Sequence, residues 1–280
     1  MNNLKTVLLL GLLSGMLLVG GQAIGGRGGL TMGLVLAVAM NFFSYFFSEK
    51  MALMMSGAIR VSEEENPHIW QRIAPMTANL CRKMGIPMPR LWVLPEDSPN
   101  AFATGRDPNH SSVAVSAGLL ELMDDREVEA VIAHELGHIL NRDILVSSIA
   151  ATIGSAITFL GRMAFFMGGR SNDDEEGGSP IGGLVMMIVA PIAALLIQLA
   201  ISRTREYGAD AAAAKYTGSA GNMISALRKL ETWSHRIPMD ASPATAHMYI
   251  IAPFSGASMM KLFSTHPATE DRIAALERLQ

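Results

Sequence analysis

The chain has 280 residues, half of them hydrophobic and 17% charged, with a formal net charge of -3 at pH 7. Its mean hydropathy of +0.29 is high for a soluble enzyme, and the charge balance argues against a nucleic-acid-binding surface. Cys81 is the single cysteine, which excludes an intramolecular disulfide and a cysteine-rich zinc site. The length allows one or two domains with a hydrophobic core.

Two apolar stretches open the chain, Thr6 to Ile24 and Leu30 to Phe47, and each is long enough to cross a bilayer. Only a short glycine-rich loop containing Arg27 separates them. Lys5 followed by an apolar run is also typical of a cleaved signal peptide, but no clear small-residue cleavage site follows. We therefore predict an uncleaved transmembrane hairpin over residues 1–48.

Residues 49–143 have the pattern of half a soluble domain. Apolar residues at helical spacing predict a helix over residues 62–84, which a glycine and two prolines then end. Beyond it, the pattern predicts strands over residues 91–94, 100–105 and 112–116, the last two forming a hairpin. The edge of such a sheet can bind an extended polypeptide by strand addition, and the candidate residues are Asn100, Ala101 and Phe102.

The next segment reads HExxH, from His134 through Glu135 to His138, within a strongly helical pattern. Positions i and i+4 share a helix face, so the two imidazoles can bind one metal ion. Glu135 is then placed to act as general base on a water molecule at that metal, as in zinc peptidases. Ordinary histidines on a partly buried helix are the alternative. It is disfavoured because the flanks are apolar and each buried polar side chain would need a partner.

Two further apolar stretches, Leu145 to Met167 and Ile181 to Ile201, predict a second transmembrane hairpin over residues 144–201. An acidic, glycine-rich loop, residues 168–180, connects them. The first stretch is the weaker prediction, because its small residues also suit a buried helix of a soluble core. Basic residues flank the hairpins on the side of residues 49–143, which places that segment and both termini in the cytoplasm.

A site with two histidine ligands needs a third protein ligand. No histidine follows His138 at the metzincin spacing, so a carboxylate from a second helix is the remaining option. Glu206 is a candidate, and Asp210, one turn further on, can accept the free N–H of a zinc-bound imidazole. Glu231 and Glu270 are also available, and the sequence pattern alone leaves this choice open.

Four segments resemble the HtpX family of bacterial inner-membrane zinc metalloproteases, which is related to the CAAX prenyl proteases. They are His134–Asp143 (HELGHILNRD), Arg205–Asp210 (REYGAD), Asn100–Ala103 (NAFA) and Thr265–Pro267 (THP). The resemblance covers nearly the whole chain. It implies one zinc ion per chain, bound by His134, His138 and Glu206, with Glu135 as the catalytic residue. It also implies a cytoplasmic active site and a role in quality control of membrane proteins during stress.

Peptide hydrolysis also needs a hydrogen-bond donor for the developing oxyanion, besides the metal. His266 is the leading candidate, with Arg272 and Tyr207 behind it. His266 could equally be a fourth zinc ligand in a latent state, or fix the turn at Pro267. The sequence leaves these three roles open.

The expected fold is α+β and mostly α, a multi-span membrane protein with a gluzincin-like zinc metallopeptidase domain. That domain would comprise residues 49–143 and 202–280, with polypeptides as substrates and the lipid bilayer as its surroundings. A CAAX-type enzyme that processes one defined substrate is one rival, although such enzymes generally use more spans. A non-catalytic membrane scaffold with a structural zinc site is the other, and Glu135 argues against it because a structural site needs no base.

Overall fold

The computed structural model describes residues 2–147, 149, 203–236 and 267–280. Its helices are α1 (Asn2–Met55), α2 (Pro67–Met84), α3 (Ala117–Leu122), α4 (Asp125–Leu140), α5 (Arg203–Thr217), α6 (Ala220–Arg236) and α7 (Thr269–Glu277). Its strands are β1 (Ile59–Arg60), β2 (Arg90–Leu94), β3 (Ala101–Asp107) and β4 (His110–Ser116). The described part is therefore mostly helical with one small sheet, as the sequence predicts. The predicted second hairpin, apart from its first residues, and His266 lie outside the described residues.

Helix α1 reverses direction along its length. Asn41 Nδ2 donates to Ser14 Oγ at 2.8 Å and to the Leu10 carbonyl at 3.4 Å. A straight helix would separate residues 10 and 41 by about 46 Å at 1.5 Å per residue, so the chain folds back between them. Gly26, with a φ of 54°, lies in that interval, and a Cβ on Gly33 would clash with the Leu17 carbonyl oxygen of the opposite arm. Two helical arms therefore pack closely against each other.

The predicted helix over residues 62–84 is shorter in the structure and begins at Pro67. The residues before it form a turn, in which the Asn66 N–H donates to the Ser62 carbonyl at 3.0 Å. Pro67 suits the first helical position, where the backbone N–H that proline lacks would have no intrahelical partner. The start of a periodic pattern is thus a poor guide to the start of this helix.

The four strands form one mixed sheet in the order β1-β2-β4-β3. Strands β3 and β4 form the predicted antiparallel hairpin, while β2 pairs with β4 in parallel. At the hairpin turn, Asp107 Oδ1 accepts the backbone N–H groups of Asn109 at 2.8 Å and His110 at 3.0 Å. This order leaves β3 at an edge of the sheet.

The two faces of the sheet pack against different parts of the molecule. Side chains on one face, including Ala101, Val113 and Val115, belong to the main core with helices α2, α4 and α6. On the other face, Phe102 and its neighbours pack against Leu53, near the end of α1. The sheet therefore separates α1 from the helices of the main core.

Candidate metal centre and active site

Helix α4 holds the HExxH residues in its buried second half. His134 and Glu135 are 1% and 5% exposed, and the two imidazole rings have centroids 4.8 Å apart. The helix begins with a complete capping box, in which Asp124 accepts the Glu127 N–H and Glu127 accepts the Asp124 N–H. This cap fixes where the helix starts, and the i, i+4 spacing puts the two histidines on one face.

A close approach between α4 and α5 brings the third ligand candidate to the histidines. A Cβ on Gly137 would lie 3.1 Å from both Ala209 Cα and Ala212 Cβ, so a side chain there would push α5 away. With glycine at this position, Glu206 on α5 lies opposite the imidazoles and is 3% exposed. Gly137, within the HExxH motif, therefore sets the spacing between the two helices.

The ligand atoms of His134, His138 and Glu206 all lie within 4.8 Å of one another. His134 Nε2 is 3.7 Å from Glu206 Oε2, and His138 Nε2 is 3.7 Å from Glu206 Oε1. These distances are too long for hydrogen bonds. Two donor atoms on one tetrahedral zinc ion lie about 3.3 Å apart, given bonds of about 2.0–2.1 Å. Two nitrogens and a carboxylate at this separation therefore fit a zinc ion.

His134 contacts a carboxylate on the side of its ring opposite Nε2, and an arginine binds that carboxylate. Asp210 Oδ1 lies 2.9 Å from His134 Nδ1. Arg272, on α7, donates from Nε to Asp210 Oδ2 at 2.8 Å and from Nη2 to Asp210 Oδ1 at 2.7 Å. Burial acts to raise the pKa of Asp210, but the charge and hydrogen bonds of Arg272 outweigh it and lower that pKa. Asp210 is thus placed to orient His134, whose Nε2 lies on the side of Glu206.

The second histidine has a similar arrangement, which the sequence did not predict. Just after α4, Arg142 has a φ of 58°. Its N–H donates a hydrogen bond to the Ile139 carbonyl, and the Asp143 N–H donates one to the His138 carbonyl at 2.8 Å. This is a Schellman motif with a non-glycine residue in the left-handed position. It turns the chain back so that Asp143 Oδ2 lies 3.3 Å from His138 Nδ1. Arg205 Nε lies 3.6 Å from Asp143 Oδ1.

The buried surroundings shift the pKa values of Glu135 and His138. Burial raises the pKa of Glu135. The neighbouring histidines and the hydrogen bond from the Ala103 N–H act to lower this pKa, but their effect is smaller. Burial acts to lower the pKa of His138, but the charge of Glu206 and the contact with Asp143 outweigh it and raise that pKa. A buried carboxyl with a raised pKa is suited to accept and return a proton near neutral pH.

Strand β3 lies beside the HExxH helix, with its outer edge towards Glu135. The Asn100 carbonyl accepts the Ser116 N–H at 2.8 Å, so the backbone of alternate residues, Asn100 and Phe102, faces β4. The backbone groups of Ala101 and Ala103 then face outwards, in keeping with the Ala103 bond to Glu135. The backbone of this edge, and not its buried side chains, is available for strand pairing.

The structure thus brings together five of the predicted site residues: His134, Glu135, His138, Glu206 and Asp210. Of the three carboxylates considered as third ligand, Glu206 alone belongs to this group within the described residues. His266 lies outside them, although Pro267, which follows it, is buried. Asp143 is a further site residue, and the signals in the sequence were its place just after the HExxH helix and its position at the end of the HELGHILNRD segment.

Comparisons with known proteins agree with this site. The model for peptidase family M48 matches residues 67–280. A curated protein named "Protease HtpX homolog" from Sulfurihydrogenibium sp. is 49% identical to the chain, over 99% of this chain and 96% of that protein. Another protein of that name, from Desulfatibacillum aliphaticivorans, is 50% identical over 98% of this chain and 89% of that protein. The homologue of Thermodesulfovibrio yellowstonii is 49% identical, over 100% of this chain and 99% of that protein.

Among solved structures, the crystal structure of S. mikatae Ste24p matches with a TM-score of 0.49 and 19% identity. The match covers 98% of this chain and 65% of that chain. Peptidases of family M48 are in general zinc-dependent, which suits the two imidazoles and the carboxylate described above. The family match over residues 67–280, and identities near one half over the full length of the chain, confirm the resemblance seen in the motifs. The chain belongs to peptidase family M48 and is a membrane-bound zinc metalloprotease.

Proposed function

We propose that this metalloprotease cleaves misfolded or damaged membrane proteins at the cytoplasmic surface of the bacterial inner membrane. The observation that carries the proposal is the position of the metal-ligand group. It lies against the edge strand β3, and the other face of the same sheet packs on the end of the apolar helix α1.

In this proposal His134, His138 and Glu206 hold one zinc ion. Their donor set is the one that zinc prefers in catalytic sites, and three protein ligands leave one position for water or substrate. When bound, zinc supplies a Lewis acid that polarises the scissile carbonyl and lowers the pKa of a water molecule. Asp210 and Asp143 keep the two imidazoles in the tautomer that presents Nε2 to the ion.

Glu135 is the general base. Its carboxylate takes the proton of the attacking water and then delivers it to the amine that leaves. The Ala103 N–H, which donates to this carboxylate, fixes its orientation relative to β3. His266 remains the proposed second donor to the oxyanion. Its test is His266→Ala, which should lower kcat while zinc content stays unchanged.

The substrate is proposed to pair with the outer edge of β3 along Asn100, Ala101 and Phe102, where the backbone groups of Ala101 face outwards. Strand pairing uses backbone groups, so it accepts many sequences, as a quality-control protease requires. Asn100 adds a polar side chain at the start of this edge. Its Oδ1 is buried and has no hydrogen-bond partner among the residues that the structure describes.

The position of α1 supports cleavage next to the bilayer. Among the described residues, the stretch Gly26–Met55 is long and apolar enough to cross a membrane, and Thr6–Val19 is a shorter apolar helix. At the end of α1, Glu49 accepts hydrogen bonds from Arg90 at 2.5 Å and Ser112 at 2.6 Å, which attaches the helix to β2 and β4. Only one sheet then lies between this helix and the metal-ligand group.

The segment between α4 and α5 fits the same arrangement. Its two ends meet at one place, since His138 and Glu206 are 3.7 Å apart at the ligand atoms. A transmembrane hairpin over residues 144–201 would leave and return to the same membrane surface, which is what these ends require. The multi-pass topology with a cytoplasmic active site is therefore part of the proposal.

The test uses the purified full-length protein in detergent with casein as an unfolded substrate. Wild-type protein loaded with zinc should cleave casein, and Glu135→Gln should reduce cleavage by about 1,000-fold or more while zinc content stays the same. Cleavage by the Glu135→Gln variant at the wild-type rate would show that the base is assigned wrongly. Cleavage of a prenylated peptide but not casein would support CAAX-type processing, and cleavage of neither would support the scaffold.

A further inference from the structure

Arg272 is the largest fully buried side chain of the described residues and is 1% exposed. It lies on α7, which contacts α5 and α6. A guanidinium cannot be neutralised in a protein, so its burial must be compensated by a carboxylate. Arg272 directs two donors of its planar fork at Asp210, at 2.7 and 2.8 Å, which is the strong bidentate arrangement.

From this geometry we infer that Arg272 is a positioning residue of the metal site, which acts on zinc binding through Asp210 and His134. The inference rests on the proposed zinc ligands. It adds that the site binds zinc with full affinity only when α7 is docked with Arg272 in place. Arg272 comes from a segment far along the chain from both helices that carry the ligands.

The chain of contacts explains how a residue behind the site can act on the metal. His134 Nδ1 lies 2.9 Å from Asp210 Oδ1, so the N–H of the ring is directed at this oxygen. The lone pair of Nε2 is then free for the metal. The same Asp210 oxygen accepts Arg272 Nη2, and the two bonds of the fork fix the plane of the carboxylate.

Charge supplies a second reason for this arginine. The buried carboxylates Glu135, Glu206 and Asp210 lie around the two imidazoles, and like charges in a buried site repel one another. Arg272 Nη1 is 4.0 Å from Glu206 Oε2, so the guanidinium also faces the third ligand. Without it, Asp210 would lose both its counter-charge and the bonds that orient it, and it could turn away from His134.

The same contacts make Arg272 a poor candidate for the oxyanion donor that the sequence suggested. Its Nε and Nη2 bind Asp210, on the side of His134 that faces away from Nε2. A donor to the oxyanion must reach the side of the metal where the substrate binds. Positioning and oxyanion binding predict different results for zinc affinity, which makes them separable by experiment.

The experiment measures zinc affinity of the full-length protein by competition with a chelator, so it does not depend on activity. Arg272→Met should weaken zinc binding by about 10–100-fold, the usual range for partners of a metal-ligating histidine. Arg272→Lys keeps the charge but not the fork and should fall between Arg272→Met and wild type. The absorption bands of cobalt-loaded protein should also change in Arg272→Met, because they report ligand geometry.

Arg72 offers a control, because it also pairs with a carboxylate. Its partner is Asp125 on α4, far from the metal-ligand group. Arg72 Nε donates to Asp125 at 2.7 Å at the start of that helix. Arg72→Met should leave zinc affinity within about twofold of wild type, although it removes an arginine–carboxylate pair of similar length. Thermal melting of the metal-free variants shows which of them fold.

A double-mutant cycle with Asp210→Asn tests whether Arg272 affects zinc binding through Asp210 or directly. If Arg272 acts through Asp210, Arg272→Met or Arg272→Lys should change zinc affinity by less than about threefold in the Asp210→Asn background. An equal loss in both backgrounds, or wild-type affinity in both Arg272 variants, would overturn the inference. Unchanged zinc content in His134→Ala would instead overturn the proposed ligands, which is a distinct result.

Discussion

The two histidines of the metal site are supported by the same kind of partners, but with different precision. His134, Asp210 and Arg272 form the first support, with hydrogen-bond distances of 2.7–2.9 Å. His138, Asp143 and Arg205 form the second support, with distances of 3.3 and 3.6 Å. The first support joins three separate segments, whereas in the second support the histidine and its carboxylate are five residues apart.

The difference shows two ways of orienting a ligand. In the first support, strong charge-assisted hydrogen bonds hold a side chain from another helix in place. In the second support, the carboxylate is positioned mainly by the backbone. The left-handed conformation of Arg142 turns Asp143 back onto the end of its own helix. We expect substitutions in the first support to affect zinc binding more than those in the second.

The largest effect should come from Glu206, which faces both histidines. Glu206→Ala removes a proposed ligand and should weaken zinc binding by about 1,000-fold or more, since one of three protein bonds to the metal is lost. Elemental analysis of the purified protein measures this. A full zinc content would show that Glu206 is not a ligand, and the two supports would then have no common centre.

The carboxylates provide the direct comparison of the two supports. Asp210→Asn should weaken zinc binding by about 10–100-fold, because the hydrogen bond to His134 and its pairing with Arg272 both change. Asp143→Asn should cost less, about 3–10-fold, because its contact with His138 is longer. Chelator competition measures both variants under one condition. A greater loss in Asp143→Asn would reverse the proposed order of the supports.

Arg205 tests the outer end of the second support. Its distance of 3.6 Å from Asp143 exceeds that of a hydrogen bond, so Arg205→Met should weaken zinc binding by only about threefold. The same chelator competition applies, with Arg272→Met measured beside it. Equal losses in the two arginine variants would show that the difference in distance has no consequence for binding.

The backbone at Arg142 should contribute least to zinc affinity and more to stability. A β-branched residue is disfavoured at positive φ, so Arg142→Val should lower the free energy of unfolding by about 1–2 kcal/mol. Arg142→Gly keeps this conformation accessible and is the matched control. Thermal melting and zinc competition together show whether Asp143 stays in place. Equal stability of the two variants would argue against strain at this residue.

Glu127, at the other end of α4, gives a reference outside both supports. Burial acts to raise its pKa, but hydrogen bonds from Lys229, Ser225 and the Asp124 N–H outweigh it and lower that pKa. A lowered pKa contributes stability above the usual pKa of about 4.3, and this contribution is lost as pH falls through the folded-state value. Glu127→Gln should therefore destabilise the protein at pH 7 by about 1–3 kcal/mol and by less in acid.

Thermal unfolding of Glu127→Gln and wild type between pH 7 and pH 3 measures that difference. Zinc affinity should stay within about twofold of wild type, since Glu127 lies two helical turns before the first ligand. A stability difference that grows in acid would contradict the sign of the pKa shift. A large change in zinc affinity would mean that the supports are not separate from the rest of α4.

Local patterns in the sequence were sufficient for the parts of the fold that depend on neighbouring residues. The strands predicted over residues 91–94, 100–105 and 112–116 are observed within two residues at each end. The HExxH spacing placed both histidines on one helix face because helix geometry is fixed. By contrast, β1 is two residues long, and the parallel pairing of β2 with β4 joins segments that no local pattern connects.

The supports of the metal site were harder to predict for the same reason. Asp210 could be placed because it is one helical turn from Glu206. The pairing of Arg272 with Asp210 depends on how α7 packs, which the sequence pattern does not specify. Asp143 depends on a left-handed residue that is usually glycine, and the arginine at this position hides the motif.

The ligands and their supports come from three separate parts of the chain, α4 with its C-terminal turn, α5 and α7. No continuous fragment therefore carries a complete centre, and the free energy of zinc binding is released only after these parts have packed. Residues 144–202 join the first part to the second, so a nascent chain that ends before α5 would be inert. A protease of this design acquires its activity late, after its own chain has folded.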